Sequence, residues 1–211
     1  MTTRILLVDD HPVVRQGIKQ VLSSAFDPAI VGEAASAEEG LHEVRGTNWD
    51  VMVLDLSLPG MNGLDLLKDL RRERPDLPVL VLSMHRPEQF ARRAMNAGAA
   101  GYLTKDSAPT ELVRAVGEVI AGRRYLNAAV IDELVTIRQP ERAHPPHELL
   151  SDREYQVLRM IASGRTVTQI ATQLSLSTKT VSTYRARLLA KMQMKTTAEL
   201  MHYGIQHGVV D

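Results

Sequence analysis

The chain has 211 residues, with 25 Lys and Arg against 25 Asp and Glu, a formal net charge of zero. A hydrophobic fraction of 44% excludes wholesale disorder, which needs few apolar residues and a large net charge. With no cysteine, the chain can form no disulfide, thiolate zinc site, iron–sulfur cluster or Cys nucleophile.

Strand and helix signals alternate through the first 121 residues. Ile5–Val8, Ile30–Val31, Val51–Leu54, Val79–Leu82 and Ala99–Leu103 are short apolar runs. Between them, apolar residues recur at helical spacing: Val13/Val14, Ile18, Val21 and Leu22; Leu64, Leu66/Leu67 and Leu70; Phe90, Ala94 and Ala97; Leu112, Val113, Val116 and Ile120. Near-continuous apolar strands between helices predict a parallel sheet covered on both faces. Five such units suit an α/β doubly wound fold of flavodoxin-like order 2-1-3-4-5, whose ligands sit beyond the carboxyl ends of the strands.

Those ends carry chemistry. Strand 1 runs into Asp9-Asp10, strand 3 into Asp55 and strand 4 into Ser83, and Lys105 follows strand 5. Three clustered carboxylates repel one another unless a cation neutralises them. Oxygen donors with room for water suit Mg²⁺, and a carboxylate beside Mg²⁺ and Lys is suited to attack on a phosphoryl group.

These residues carry a resemblance. Leu7-Val-Asp9-Asp10-His11-Pro12, Asp55-Leu-Ser-Leu-Pro59-Gly60-Met61-Asn62-Gly63, Leu82-Ser83-Met84 and Gly98-Ala-Ala-Gly101-Tyr102-Leu-Thr-Lys105 make residues 4–121 similar to the receiver domain of two-component response regulators. The resemblance implies Asp55 as phosphoacceptor, with Mg²⁺ held by Asp9, Asp10, Asp55 and the Ser57 carbonyl. It implies Ser83 as switch hydroxyl, Lys105 as phosphate contact, and Tyr102 as the aromatic that turns inward on activation. His11 reads as a loop residue near the site rather than a ligand. The sequence departs from common receivers at Asp106, where many have Pro, and at Met84, usually small and here expected to crowd the acceptor.

The segment Gln139–His147 holds three prolines and cannot continue a helix or central strand. We place a receiver at 1–123, a linker at 124–147 with a helix over about 128–138, and a second domain at 148–211. The charge divides with them: 15 basic and 17 acidic residues in 1–125, 2 and 3 in 126–146, and 8 and 5 in 147–211.

The second domain has only helical signals. Ser151 and Glu154 read as a capping box opening a helix through Tyr155, Val157, Leu158 and Ile161, stopped at Gly164. A short helix over Val167–Leu174, a turn at Ser175-Leu-Ser177 and a helix from Thr178 to Met192 make a helix-turn-helix. Leu200, Met201, Tyr203 and Ile205 mark a fourth helix. On the third, Val181, Leu188, Leu189 and Met192 should face the core. Thr178, Lys179, Ser182, Thr183, Ala186 and Arg187 then face outward, and the small residues among them allow close approach to a major-groove floor. Lys179, Arg185, Arg187 and Lys191 suit DNA phosphates.

Residues 148–208 resemble the LuxR-type domain of NarL/FixJ regulators through Leu150-Ser-Asp-Arg-Glu154, Ile170-Ala171, Ser177-Thr-Lys-Thr-Val181 and Leu188-Leu-Ala-Lys-Met192. Tyr184 stands among the candidate DNA contacts where His is common; Val167-Thr168 and Thr197 also depart from the family. Together the resemblances imply a regulator phosphorylated by a sensor histidine kinase, binding double-stranded DNA as a homodimer, with RNA polymerase a further candidate partner. A constitutive DNA-binding protein with an inert receiver and a Mg²⁺-dependent phosphohydrolase are the alternatives; the second lacks an acid two residues after Asp55, where Ser57 stands. The longest apolar runs fall far short of the roughly 18–20 residues that span a bilayer. The N-terminus reaches Asp9-Asp10 too soon for a signal peptide. We therefore expect no membrane association and a cytoplasmic location.

Overall fold

In the computed structural model, the apolar runs become parallel strands: β1 (Thr3–Val8), β2 (Ala29–Ala34), β3 (Val51–Leu54), β4 (Val79–Ser83) and β5 (Gly101–Thr104). The structure describes residues 2–58, 61, 63–84, 87–107, 109–126, 131 and 145–210, in two compact units, Met1–Arg138 and Gln139–Asp211. The intervening helices of the first unit are α1 (Pro12–Ala25), α2 (Ala37–Gly46), α3 (Gly63–Glu73), α4 (Pro87–Asn96) and α5 (Pro109–Ile120). The sheet order is 2-1-3-4-5-6, the expected order extended by a sixth parallel strand, β6 (Tyr125–Leu126), paired to Gly101 and Tyr102. Two residues are too short for any periodic signal, so the sequence did not announce β6, which lies inside the stretch read as linker. The helix expected over 128–138 lies outside the described residues, apart from Ile131.

Strands β1, β3 and β4 are buried on both faces, which accounts for their unbroken apolar character. Alternate residues face opposite sides. Ile5, Leu7, Val51, Val53, Leu80 and Leu82 join Ile18 and Leu22 of α1 and Leu112, Val116 and Val119 of α5 in one core. Leu6, Val8, Met52 and Leu54, the intervening residues, are equally buried. Each such side chain stabilises the fold by about 1.5–3 kcal/mol.

Register then positions the site. Val8 pairs with both Ala34 and Leu54, and Ser83 pairs with Thr104. The next residue of each strand therefore leaves the sheet at the same edge. The Asp9 N–H donates to the Ala34 carbonyl (3.1 Å), the Asp55 N–H to Val8 (2.9 Å) and the Lys105 N–H to Ser83 (2.8 Å).

The second unit has a 3₁₀ turn (Pro146–Leu149) and helices α6 (Asp152–Ala162), α7 (Val167–Gln173), α8 (Thr178–Lys191) and α9 (Thr197–Gln206). The Ser151–Glu154 capping box forms as expected, and Thr166–Gln169 makes a second one at the start of α7. Ser177 caps α8 by accepting from the Thr180 N–H at 3.0 Å. Gly164, at φ 79°, ends α6 in the left-handed region that Gly adopts without a Cβ penalty. Leu158, Ile161, Ile170, Val181, Leu188 and Leu200 form the small core.

One glycine sets the wall behind Asp55. A Cβ on Gly63 would lie 2.6 Å from both the Asp55 carbonyl oxygen and Leu56 Cα. Gly63→Ala must therefore displace backbone, an overpacking strain of about 1–3 kcal/mol. A Cβ on Gly17, inside α1, meets nothing within 4 Å, so Gly17→Ala should gain about 0.5–1 kcal/mol of helix propensity. Thermal unfolding should show the first variant melting lower than the native chain and the second higher.

Candidate functional site

Three strand ends and one loop lysine converge at the carboxyl edge of the sheet. Asp9 and Asp55 are each only 1% exposed, and Lys105 Nζ lies between them, 2.6 Å from Asp9 Oδ2 and 2.8 Å from Asp55 Oδ2. The other Asp55 oxygen, Oδ1, accepts from the Ser57 N–H at 3.0 Å. Asp10 stands at the rim, partly open to solvent. Ser83 and Tyr102 are fully buried, so Tyr102 occupies an inward position on β5. Met84, expected to crowd the acceptor, is instead 68% exposed: strand alternation turns Ser83 inward and sends the next side chain out. The Lys105–Asp106 bond is trans.

Burial pushes the Asp55 carboxyl above its ordinary value, outweighing the charge and hydrogen bond of Lys105 and the Ser57 N–H; the Asp9 carboxylate pushes the same way. Burial acts to lower the Lys105 ammonium, but Asp55 and Asp9 together raise it above its ordinary value. Three carboxylates against one ammonium leave a formal charge of −2 in the pocket. A hard divalent cation fits both that charge and the oxygen donors. In the metal-free protein the balance has a consequence for stability. A carboxyl with a folded pKa above its unfolded one ionises more readily when unfolded, so it destabilises the fold once pH exceeds the unfolded value. At neutral pH without metal, Asp55→Asn should raise the receiver's melting temperature by a few degrees in a thermal scan.

The structure also gathers residues to which the sequence reading gave no part in the site. His11 Nδ1 lies 2.8 Å from Asp10 Oδ1 and 3.3 Å from Asp9 Oδ1. Arg15 donates to the Asp9 carbonyl at 2.7 Å and pairs with Glu33 on β2 at 3.1 Å, so α1 braces the acidic loop. No spacing rule links Arg15 to a residue 18 positions away.

In the second unit, Thr178, Lys179, Ser182, Thr183, Ala186 and Arg187 all lie exposed along α8, as the helical period predicts, while Val181, Leu188 and Met192 are buried. Leu189, Tyr184 and Arg185 are half-buried. The Thr183 hydroxyl donates to the Lys179 carbonyl at 3.0 Å. Lys191, assigned to DNA phosphates, has its ammonium 2.6 Å from Glu154 Oε2. That same oxygen accepts from the Ser151 N–H (2.8 Å) and hydroxyl (2.9 Å), so Lys191 straps the end of α8 to the start of α6. Burial pushes Glu154 up, but Lys191 and Ser151 outweigh it and hold the carboxyl below its ordinary 4.5. The stability it contributes is present above 4.5 and lost as pH falls through the depressed folded value. Lys191→Met should therefore destabilise the second unit at neutral pH, and the deficit should shrink as unfolding is measured at pH values falling below 4.5.

Among the described residues, no helix is long and apolar enough to cross a membrane. Residues 5–117 match the family described as response regulator receiver domain, and residues 148–204 that of bacterial regulatory proteins, luxR family. Response regulator UvrY of Escherichia coli strain K12 is 37% identical over 206 residues, covering 97% of this chain and 94% of its own. Response regulator GacA of Pseudomonas aeruginosa is 38% identical over 209 residues, covering 99% and 98%. Among solved structures, RcsB from Salmonella enterica serovar Typhimurium, bound to promoter rprA with the phosphomimetic BeF3⁻, superposes with a TM-score of 0.67 at 27% identity, covering 96% of this chain and 98% of that one.

Proposed function

Since this chain belongs to the two-component response regulators of the NarL/FixJ type, a receiver followed by a LuxR-type helix-turn-helix domain, it is a DNA-binding response regulator, and we propose that phosphoryl transfer to Asp55 controls its occupancy of DNA. The observation that carries the reading is the buried Asp55 carboxylate, held 2.8 Å from Lys105 beside Asp9 and Asp10.

A sensor histidine kinase presents a phosphohistidine. One Asp55 oxygen attacks phosphorus, a P–O bond forms, the P–N bond breaks, and the imidazole leaves. Lys105 Nζ, already on Asp55, turns its charge to the transferred group. Asp9, Asp10, Asp55 and the Ser57 carbonyl would hold Mg²⁺, which supplies positive charge against the phosphoryl oxygens. The Ser83 hydroxyl closes on the acyl phosphate, and Tyr102 rests inward as it does so. The same residues allow self-catalysed transfer from a small phosphodonor.

The output lies on α8. Thr178, Ser182, Thr183 and Ala186 read base edges, and Lys179, Tyr184, Arg185 and Arg187 meet the backbone. With Lys191 committed to Glu154, few cations remain for phosphates, and the 147–211 segment carries an excess of only three positive charges. A homodimer doubles that charge and meets two half-sites about 34 Å apart. RcsB, a relative of solved structure, is bound to a promoter in the presence of a phosphomimetic, which supports the same coupling here. We place the protein in the cytoplasm, where kinase and DNA are both within reach.

Adding a small-molecule phosphodonor and Mg²⁺ should tighten operator binding by roughly 5–150-fold, the usual range of allosteric coupling, together with dimerisation. Asp55→Asn should abolish the gain. Equal affinity of native and Asp55→Asn protein under the phosphodonor would instead support a constitutive DNA-binding protein.

A further inference from the structure

The proposed function leaves one group at the acceptor without a role, the imidazole of His11. The pocket has two sides. Lys105 sits on Asp9 Oδ2 and Asp55 Oδ2, whereas His11 Nδ1 faces Asp9 Oδ1 at 3.3 Å and Asp10 Oδ1 at 2.8 Å. Ligand atoms of Asp9, Asp10, His11 and Asp55 all lie within 4.8 Å of one another.

Those separations have a geometric meaning. Around an octahedral dication with bonds of about 2.1 Å, neighbouring donors stand about 3.0 Å apart. The nitrogen thus keeps the spacing of two donors on one ion, on the side away from the lysine. Without an ion, the ring nitrogen stays 2.8 Å from Asp10 Oδ1, an oxygen that has no hydrogen-bond partner among the described residues. The backbone fixes the direction: His11 is the extended residue before Pro12 and α1 (φ −92°, ψ 105°), and its N–H donates to Asp9 Oδ1 at 2.8 Å. The Arg15 N–H donates to its carbonyl at 2.9 Å.

We propose that His11 Nδ1 is a further protein donor to the divalent ion of this pocket, which makes the site selective for imidazole-binding dications such as Co²⁺, Ni²⁺ or Zn²⁺ relative to Mg²⁺. Magnesium takes hard oxygen donors and gains little from a nitrogen, whereas later first-row dications bind imidazole well. The acidic residues then bind either class of ion, and His11 adds to the preference for the later first-row dications. The inference rests on the reading of this pocket as a metal site.

The test titrates the full chain with CoCl₂ and, separately, MgCl₂, in native and His11→Gln forms. Gln keeps a polar side chain of similar reach beside Asp10 but offers no imidazole. In the native chain with one equivalent of Co²⁺, proton NMR should show a strongly paramagnetically shifted imidazole N–H signal that His11→Gln lacks. Cobalt affinity should fall roughly tenfold or more in the variant, the scale on which a metal site loses a partner, while magnesium affinity stays within about twofold. If His11 gives no shifted signal, or both ions weaken by one factor, His11 is no selective donor and the inference fails. If neither ion binds native protein, the metal-site reading fails with it. Normal Mg²⁺ binding with an unchanged Co²⁺ titration in His11→Gln overturns the inference alone.

Discussion

Two carboxylates buried against a single ammonium form the constraint around which the first unit is organised. Asp9 and Asp55 are sealed from water with the Lys105 ammonium between them. Ions in a low-dielectric setting are costly without compensation, so the pocket stays short of positive charge. Burial above all, with the neighbouring Asp9 carboxylate, raises the Asp55 carboxyl despite the Lys105 ammonium. A site of this kind offers a dication oxygen donors and an excess of negative charge. A carboxyl held in this way is a local strain on the stability of the fold.

The rest of the receiver holds that constraint in place. Register between β1, β3, β4 and β5 brings the four chain ends to one edge, and the two apolar faces of the sheet fix the register, since a one-residue slip would turn every buried side chain outward. Gly63 lets the chain pass against the Asp55 carbonyl. Arg15 ties the acidic loop to β2 through Glu33. None of these residues does chemistry; each determines where the carboxylates can be.

The second unit solves a smaller version of the same problem with the opposite outcome. Glu154 is also buried, yet two donors of Ser151 and the ammonium of Lys191 satisfy it, and its carboxyl falls below the ordinary value. A fully compensated carboxylate is a structural strap. An undercompensated one is a reactive site. The contrast gives Lys191, an exposed residue of the expected helix, a structural partner in the second unit.

Much of this was legible in the chain. The apolar runs and their helical intervals determined five strands and their order, because parallel strands buried on both faces leave an unmistakable composition. Asp9, Asp55 and Lys105 could be placed at one edge because each directly follows a strand, with Asp10 one residue further on and Ser83 at the last position of β4. The Ser151–Glu154 box and the outward row from Thr178 to Arg187 followed from spacing within one helix. Other features depend on contacts between segments far apart in the chain. The β6 strand exists because Tyr125 and Leu126 find the free edge of β5. His11 turns toward two carboxylates because α1 begins at the next residue, and Lys191 meets a glutamate 37 positions earlier because α6 and α8 pack together. The sequence by itself determined which elements form and which side chains their periods expose. Only the tertiary structure decided which charges meet, because electrostatic partners are set by distance in space, and that distance has no period in the chain.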